Sequence, residues 1–390
     1  MERTNAYSLL DFLDNSPCNF FATATIQRYL DDNGFQELKQ SERWNLEKGG
    51  KYYVKKNDTA IFGFVIGETP LDQSGFNMIS AHSDSPCFRI KPNPEMLADG
   101  VLKLNTEVYG GPILYTWFDR PLSLAGRVIV RNPQNPARPI TKLIDFASPV
   151  LIIPHLAIHF NRNVNAGNPL SKQKDMLPIA AIVSDSMSKN NFLIDQIKER
   201  LEIADSKDIL DFDLMLYNCQ KSQLVGFNKE FICSGRIDDL SMAHAALSAL
   251  LNSDNPATTK VMAIFDNEET GSGTKQGAAS PVLASILHRV ATCMGLDDEG
   301  FYQALSRSFL VSADNAHAAH PNYPEKYDPT NHPKMGGGPV IKINANCKYM
   351  TDAHSSAIFK EVCHAANVPC QYFVNHSDVA GGSTLGNILT

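Results

Sequence analysis

Acidic side chains and one histidine stand where three apolar runs of the sequence stop. The runs "NMISAH", "VMAIF" and "FLVSA" lead into His82 and Asp84, into Asp266, Glu268 and Glu269, and into Asp314. In open α/β sheets ligands bind at the carboxyl ends of strands, so we expect these side chains to share one edge. Crowded carboxylates repel one another, and a divalent cation relieves that repulsion. Imidazole and carboxylate without thiolate suit Zn²⁺, Mn²⁺ or Co²⁺, so the pattern predicts a metal site.

The adjacent pair Glu268 and Glu269 indicates metal-assisted hydrolysis. One carboxylate can bind an ion while the other takes a proton from a water that the ion activates. Asp84 can steady the ring of His82 from behind. Asp238, in "GRIDDL", begins a predicted helix, where a carboxylate is favoured by the exposed amides and can also bridge two ions.

Each of these residues also has a purely structural interpretation. A His-x-Asp sequence such as His82 to Asp84 is often a polar turn, and Glu-Glu pairs usually lie on the solvated surface. Asp238 and Asp239 can simply cap a helix, and Asp314 can be a turn residue. Their shared position at the ends of apolar runs is what favours the metal site.

Composition narrows the class of protein. The chain has 390 residues, 43% of them hydrophobic and 20% charged, which is ordinary for two or three globular domains. A formal charge of -7 argues against nucleic acid or an anionic membrane as partner. No apolar stretch reaches the roughly 18 to 20 residues of a spanning helix, and the N-terminus lacks the apolar core of a signal peptide. Eight scattered cysteines without a CxxC pair indicate reduced thiols, so we expect a cytoplasmic protein.

Two patterns of secondary structure must position these residues. Strand-like runs near the N-terminus are "KYYVKK", "TAIFGFVIG" and "FNMISAH". After residue 235 helical segments alternate with the apolar runs "KVMAIFD", "SFLVSAD", "PVIKINA" and "PCQYFVN", which predicts a mostly parallel sheet covered on both faces. Between 95 and 232 the runs "VLKLNTEVY", "LAGRVIVR", "VLIIPHLAIHF" and "DFDLMLYN" predict a β-rich module inserted into the other domain.

Taken together, these stretches resemble the M18 family of aspartyl aminopeptidases, which are dinuclear metallopeptidases of the zinc exopeptidase clan. The similar stretches follow the family's order from residue 80 to 388. They include "SAHSDSPCFRIKP", "IPHLAIHFNRNVN", "SGRIDDLSM", "FDNEETGSGTKQGA", "SADNAHAAHPNYPEKYDP" and "GGSTLGNI".

The resemblance implies a role for each candidate residue. For the metals, it implies His82 and Asp314 as ligands of different ions, Asp238 as the bridging ligand, and Glu269 as a further ligand. For catalysis, it implies Glu268 as the general base and Asp84 as the partner that orients His82. For substrate binding, it implies that Lys342 pairs with the acidic side chain of the substrate and that His317 helps to bind the substrate. It also implies that His159 reaches the site from a neighbouring subunit. It also implies a cis peptide bond between Asp238 and Asp239.

The resemblance further implies an activity and an architecture. Such enzymes remove N-terminal Asp or Glu from small peptides with two divalent metal ions, zinc first, with manganese or cobalt as alternatives. The fold expected is α/β, with a zinc-peptidase-like α/β/α catalytic core over 1–95 and 233–390 and a mostly parallel mixed sheet. Residues 96–232 would form the inserted β-rich domain, for dimerisation or as a lid. The expected assembly is a homo-oligomer, a tetrahedral dodecamer built from dimers, without nucleic-acid or membrane partners.

One departure from the family pattern leaves alternatives open. The family carries a last histidine ligand after "GGSTLGNI", whereas this chain ends at Thr390. Either the chain is clipped here, or the second ion is incompletely held and binds more weakly. A related metallo-aminopeptidase or deacylase with another specificity would keep the metals without needing Lys342. A non-catalytic peptide-binding oligomer would bind peptides without turnover.

Overall fold

Each of two structural units is built from two separate segments of the chain. The computed structural model describes residues 2–183, 190–254, 256–383 and 385–389. The first unit comprises the chain up to Asp32 together with Ser83–Leu240, and the second comprises Asn33–His82 together with the chain from Ser241 onward. None of the helices in these described ranges is long and apolar enough to cross a bilayer.

Helices and strands are numbered here in chain order. The helices are α1 (Glu2–Asp14), α2 (Asn19–Asp32), α3 (Leu71–Ser74), α4 (Phe192–Arg200), α5 (Ile237–Leu251), α6 (Val282–Cys293), α7 (Asp298–Ser306), α8 (Ala353–Ala365) and α9 (Gly386–Leu389). The strands are β1 (Gln36–Glu37), β2 (Lys51–Lys56), β3 (Ala60–Val65), β4 (Phe76–His82), β5 (Cys87–Ala98), β6 (Val101–Tyr109), β7 (Leu122–Val130), β8 (Ile140–Asp145), β9 (Ile179–Ile182), β10 (Ile209–Asn218), β11 (Gln223–Val225), β12 (Phe231–Cys233), β13 (Thr259–Phe265), β14 (Phe309–Ser312), β15 (Val340–Ile343) and β16 (Gln371–Val374).

A six-stranded antiparallel sheet, in the order β8-β7-β10-β5-β6-β9, dominates the first unit. Its buried face carries Phe88, Leu124 and Leu214, and α4 packs Leu193 and Ile197 into the same core. Burial of one face of a sheet beneath a helix is the usual way such a module stabilises itself. The β-rich character predicted for this part of the sequence is confirmed.

The apolar run "VLIIPHLAIHF" is not the strand that its composition predicts. Residues 151–153 form isolated bridges only. Pro154 then interrupts the ladder, because it has no N–H to donate. The apolar side chains beyond it are exposed, Leu156 by 57%, Ile158 by 54% and Phe160 by 80%. An apolar run with a proline at its centre is therefore a loop here.

The second unit holds a six-stranded mixed sheet in the order β1-β2-β3-β13-β4-β14. Strands β13, β4 and β14 are parallel, whereas β2, β3 and β13 pair antiparallel. Strand β3 is buried at every position, as expected for a continuous apolar run covered on both faces. The mixed α/β fold predicted from the sequence is confirmed, except that β15 and β16 pair with each other in a separate two-stranded sheet.

Helix α6 shows why the helices of the second unit form where they do. It buries Val282, Leu283, Ile286, Leu287 and Val290, a spacing that places one apolar stripe against the sheet. Pro281 precedes its first turn, and Gly295 follows its last with φ +89°, a left-handed conformation that glycine adopts without steric cost. Capping and apolar periodicity therefore agree on the bounds of this helix.

Candidate metal centre

Three parallel strands of the second unit end at one edge of its sheet. Phe265 of β13 lies opposite His82 of β4, and Ser312 of β14 lies opposite Ser80. His82 is thus the last residue of its strand, Asp266 directly follows β13, and Asp314 stands two residues after β14. The carboxyl ends of these strands meet as the sequence predicts.

Four side chains offer metal-ligand atoms within 4.8 Å of one another, namely His82, Asp238, Asp239 and Asp314. His82 is 1% exposed and Asp239 is 0% exposed. Asp238 is exposed and Asp314 is half-buried. Three carboxylates this close repel one another, and a divalent cation offsets that repulsion. One imidazole with carboxylate oxygens is a donor set that zinc accepts, so these residues fit such an ion.

Glu268 and Glu269 lie in a tight turn that directly follows β13. They begin a single turn of 3₁₀ helix, Glu268–Thr270, after Asn267 takes a left-handed φ of +63°. The Asn267 side-chain oxygen accepts hydrogen bonds from Thr274 Oγ1 at 2.8 Å and Gln276 Nε2 at 2.9 Å. Neither glutamate belongs to the four-residue group, and their predicted roles as base and ligand remain predictions.

Asp84 is held by a short hydrogen bond from a neighbouring strand. The hydroxyl of Tyr109, at the end of β6, donates to Asp84 Oδ2 at 2.6 Å, and Asp84 is 2% exposed. Next along the chain, Ser85 Oγ donates to the main-chain carbonyl of Asp238 at 2.8 Å. The peptide bond between Asp238 and Asp239 is cis, as the resemblance implies. The loop around Asp84 therefore supports the backbone that carries two members of the group.

Lys342, on β15, directs its ammonium to the Asp314 side of the group. Its Nζ lies 3.3 Å from Asp314 Oδ2 and donates to the Asn315 carbonyl at 2.7 Å. Tyr349 lies beneath it, with the ring centroid 5.6 Å from Nζ. The lysine side chain is only 16% exposed, so this is a held cation and not a free surface lysine.

The two predicted substrate histidines lie in exposed loops. His159 belongs to the turn that follows Pro154, and His317 belongs to the loop after β14. Neither is a member of the four-residue group. Their predicted contacts with substrate therefore remain predictions.

Comparison with known proteins identifies the family. The sequence pattern of the family described as "Aminopeptidase I zinc metalloprotease (M18)" matches residues 12–390. The chain belongs to the M18 family.

Relatives are similar in sequence or structure to this M18 chain along nearly its whole length. A protein of Clostridium novyi (strain NT) named "Probable M18 family aminopeptidase 2" is 52% identical over 384 residues, 98% of this chain and 88% of the relative. The Ape4 structure from an Ape4–Nbr1 complex is 36% identical with a TM-score of 0.94, covering 99% of this chain and 78% of that one. The S. cerevisiae mApe1 dodecamer is 25% identical with a TM-score of 0.83, covering 94% and 84%. By its family, this chain is a zinc metallo-aminopeptidase.

Two features of this M18 centre escaped prediction from the sequence. The sequence indicates Asp239 only as a helix cap or as part of a cis peptide bond, although its carboxylate joins the group. Tyr109 carried no signal, because the strand that brings it to Asp84 lies 25 residues further along the chain. The doubled aspartate of "RIDDL" was the one available hint for Asp239.

A cysteine nucleophile has no support in the M18 structure. Burial raises the pKa of Cys18 to about 12, so its thiol stays protonated and unreactive at neutral pH. None of the eight cysteines forms a disulfide, and none is a member of the four-residue group.

Proposed function

We propose that this M18 enzyme removes N-terminal Asp or Glu residues from small peptides with the help of two divalent ions. The supporting observation is the Lys342 ammonium, which lies 3.3 Å from Asp314, a member of the ligand group. A substrate whose first residue is acidic would place its side-chain carboxylate within reach of this cation. Such a charge-assisted contact favours Asp and Glu over neutral residues.

Among the residues that the structure describes, the contacts of the Lys342 ammonium leave one N–H for a substrate. A lysine ammonium carries three donors. Asp314 and the carbonyl of Asn315 occupy two of them, and the Tyr349 ring contacts the same cation from one side. The third donor is the one we assign to the acidic side chain of the first residue.

His82, Asp238, Glu269 and Asp314 would hold the ions, with zinc first and manganese or cobalt as alternatives. A bound divalent ion polarises the scissile carbonyl and acidifies water at the site. We assign Glu268 the proton from that water, which it returns to the leaving amine. Asp84, held by Tyr109, orients His82, and His317 and His159 bind the substrate.

The decisive experiment compares matched peptides and two lysine variants. Release of the first residue would be measured for peptides that begin with Asp, Glu, Leu or Lys, with added Zn²⁺, Mn²⁺ or Co²⁺ and after chelation. In Lys342→Met we expect kcat/KM for Asp and Glu peptides to fall about 10- to 100-fold, the usual worth of a hydrogen bond to a charged group. Leu peptides should change little.

Lys348→Met is the matched control, since Lys348 is exposed and lies six residues further along the same segment. It should behave as the unmodified enzyme. If Lys342→Met still prefers Asp to Leu, the role assigned to Lys342 is wrong. If the unmodified enzyme releases Leu in preference to Asp, the acidic specificity itself is wrong while the metal centre stands.

We also propose a homo-oligomer, a tetrahedral dodecamer built from dimers, that acts in the cytoplasm. Similarity to the mApe1 dodecamer supports the assembly, and eight cysteines without a disulfide suit a reducing compartment. In this arrangement 1–95 and 233–390 carry out catalysis, and 96–232 form dimer contacts or a lid and present His159 to a neighbour. Light scattering would measure the mass. A monomer that retains full activity would contradict the shared role of His159.

A further inference from the structure

A cavity of about 480 Å³ lies within the first unit, and the proposed roles above leave it without a ligand. Its volume falls in the range of about 300 to 1,000 Å³ typical of small-molecule sites. The aromatic side chains of Tyr109, Trp117 and Tyr217 line it together with polar groups. Flat apolar walls with a few polar groups are the usual composition of a binding pocket.

The cavity wall carries more positive than negative charge. Arg120, Lys221 and Arg236 line it, whereas Asp84 is the one carboxylate among its described lining residues. Asp84 already accepts the Tyr109 hydroxyl. Arg120 donates to the side-chain oxygen of Gln220 at 3.3 Å, a neutral partner. This balance favours an anionic ligand.

Arg236 is the cation with the strongest case for a ligand. Its Nε donates to the Ser16 carbonyl at 3.0 Å and its Nη2 to the Leu13 carbonyl at 3.3 Å, both neutral acceptors. Within the described residues no carboxylate forms an ion pair with it. Asp14, an acid near this guanidinium, lies 3.6 Å from Lys221 and accepts from the Ser222 amide. A largely enclosed guanidinium without a counter-ion gains most from a carboxylate, which it can bind with two donors.

The cavity also adjoins the backbone of the metal-ligand group. Ser85, on its wall, donates to the carbonyl of Asp238. Arg236 precedes Asp238 by two residues, a span of at most about 7 Å. A peptide bond cleaved at the metal centre would therefore have its departing side near the segment of chain that carries Arg236.

We propose that this cavity binds the carboxylate of the departing part of the peptide, with Arg236 as its partner. This assignment rests on the proposed aminopeptidase function and adds a second preference to it. The carboxylate can come from two sources, the free C-terminus of a dipeptide or an acidic side chain at the second residue. In both cases the carboxylate belongs to the residue that directly follows the cleaved bond.

Matched substrates test this in the unmodified enzyme. The pairs are X-Ala against X-Ala-amide, and X-Glu-amide against X-Gln-amide, with X as Asp and again as Leu. We expect kcat/KM to be about 10- to 100-fold higher for the free C-terminus, the acidic second residue, or both, because a hydrogen bond to a charged group is worth about that much. The pair that responds identifies the source of the carboxylate.

Two arginine variants link the preference to the cavity. Arg236→Gln should equalise the members of each responding pair, and Arg236→Lys should restore part of the preference. Arg138→Gln is the control, since Arg138 is exposed and absent from the cavity wall. If a variant fails to fold, the substrate pairs measured on the unmodified enzyme still decide.

Equal kcat/KM within both pairs in the unmodified enzyme would overturn the assignment. An undiminished preference in folded Arg236→Gln would do the same. Failure of the proposed acidic specificity shows separately, as a preference for Leu over Asp at X. If no peptide is cleaved, calorimetric titration with alanine and alaninamide, the departing parts of the first pair, measures the same preference, and equal binding would reject it.

Discussion

The two six-stranded sheets differ in strand direction, and the chemistry follows that difference. The sheet of the first unit is antiparallel throughout, so the carboxyl ends of neighbouring strands alternate between its two edges. In the second unit β13, β4 and β14 run parallel and end together. His82 and Asp314 therefore meet at one edge. Strand direction decides where functional side chains collect, because strand number is the same in both.

The charged residues of the antiparallel sheet serve a different purpose. Asp213 of β10 lies opposite Arg127 of β7 and accepts from its Nε at 2.7 Å, and Arg89 of β5 pairs with the same carboxylate. Opposite charges paired across strands stabilise a sheet and neutralise one another. The parallel edge gathers like charges instead, which is costly without a cation and useful with one.

Replacing Glu268 should have the largest effect on the parallel edge. A carboxylate that transfers the proton contributes about 10²- to 10⁴-fold, so Glu268→Gln should lower kcat by that factor with metal content unchanged. Glu269→Gln should instead lower metal content, because Glu269 is the predicted ligand. Activity assays with metal analysis by mass spectrometry would separate the two. Equal metal loss in both variants would contradict the division of roles.

Core truncations compare the two sheets directly. Phe62 packs edge-on against Phe265 at 5.3 Å between ring centroids, and Phe88 packs against Trp117 at 4.9 Å. Both phenylalanines are 0% exposed, so each Phe→Ala change should cost about 3 to 5 kcal/mol. Unfolding in denaturant measures this loss in the free energy of unfolding.

Metal binding should tell these two variants apart. Phe62→Ala disturbs the sheet that carries His82 and should weaken zinc affinity, whereas Phe88→Ala should not. Tyr302→Ala, at a side chain 64% exposed, is the control and should stay within about 0.5 kcal/mol. Equal affinity losses in Phe62→Ala and Phe88→Ala would show that strand direction is not what organises the edge.

Removing the charge of Asp213 should have a moderate effect confined to stability. Asp213→Asn leaves Arg89 and Arg127 without their shared carboxylate, and because these side chains are partly exposed we expect a loss of about 1 to 2 kcal/mol. Thermal unfolding and peptide cleavage would be measured together. A drop in kcat of folded Asp213→Asn would contradict a purely structural role for this charge cluster.

The smallest predicted effect is a pH dependence at helix α8. Asp352 caps this helix, and the hydrogen bond from the Ser355 side chain, followed by that from the Ser355 amide, lowers the pKa of Asp352. A carboxyl whose pKa is lowered by folding stabilises the protein above its ordinary pKa, and that contribution is lost as pH falls through the folded value. Melting temperatures from neutral to acidic pH should therefore fall less steeply in Asp352→Ala than in the unmodified chain. Parallel curves would contradict this.

Local patterns were enough to predict most of the second unit. The runs "KYYVKK" and "FNMISAH" are β2 and β4, and the alternation of helices with apolar runs predicted after residue 235 includes α6. Residues that follow strands could be assigned to one edge because parallel strands end together. His82 and Asp314 are close for that reason alone.

What the sequence could not show depends on contacts between distant segments. Strands β15 and β16 have the composition of central strands but pair only with each other, which no local pattern reveals. The contact of Tyr109 with Asp84 depends on the register of β6 against β5. Helix α7 has only a short apolar stripe, which predicts a helix weakly although Asp297 accepts from the Gly300 amide as a cap. The run "VLIIPHLAIHF" is apolar but forms only isolated bridges, because its proline cannot donate to a strand ladder.

The cysteines make the cavity of the first unit accessible to chemical footprinting. Cys233 is exposed and lines that cavity, whereas Cys347 is exposed in a turn of the second unit. Cys18, on the same wall, keeps a protonated thiol and resists alkylation. A ligand in the cavity would slow the alkylation of Cys233 while Cys347 reports the unhindered rate. The chain thus carries its own probe and its own internal standard for occupancy, with no label to be introduced.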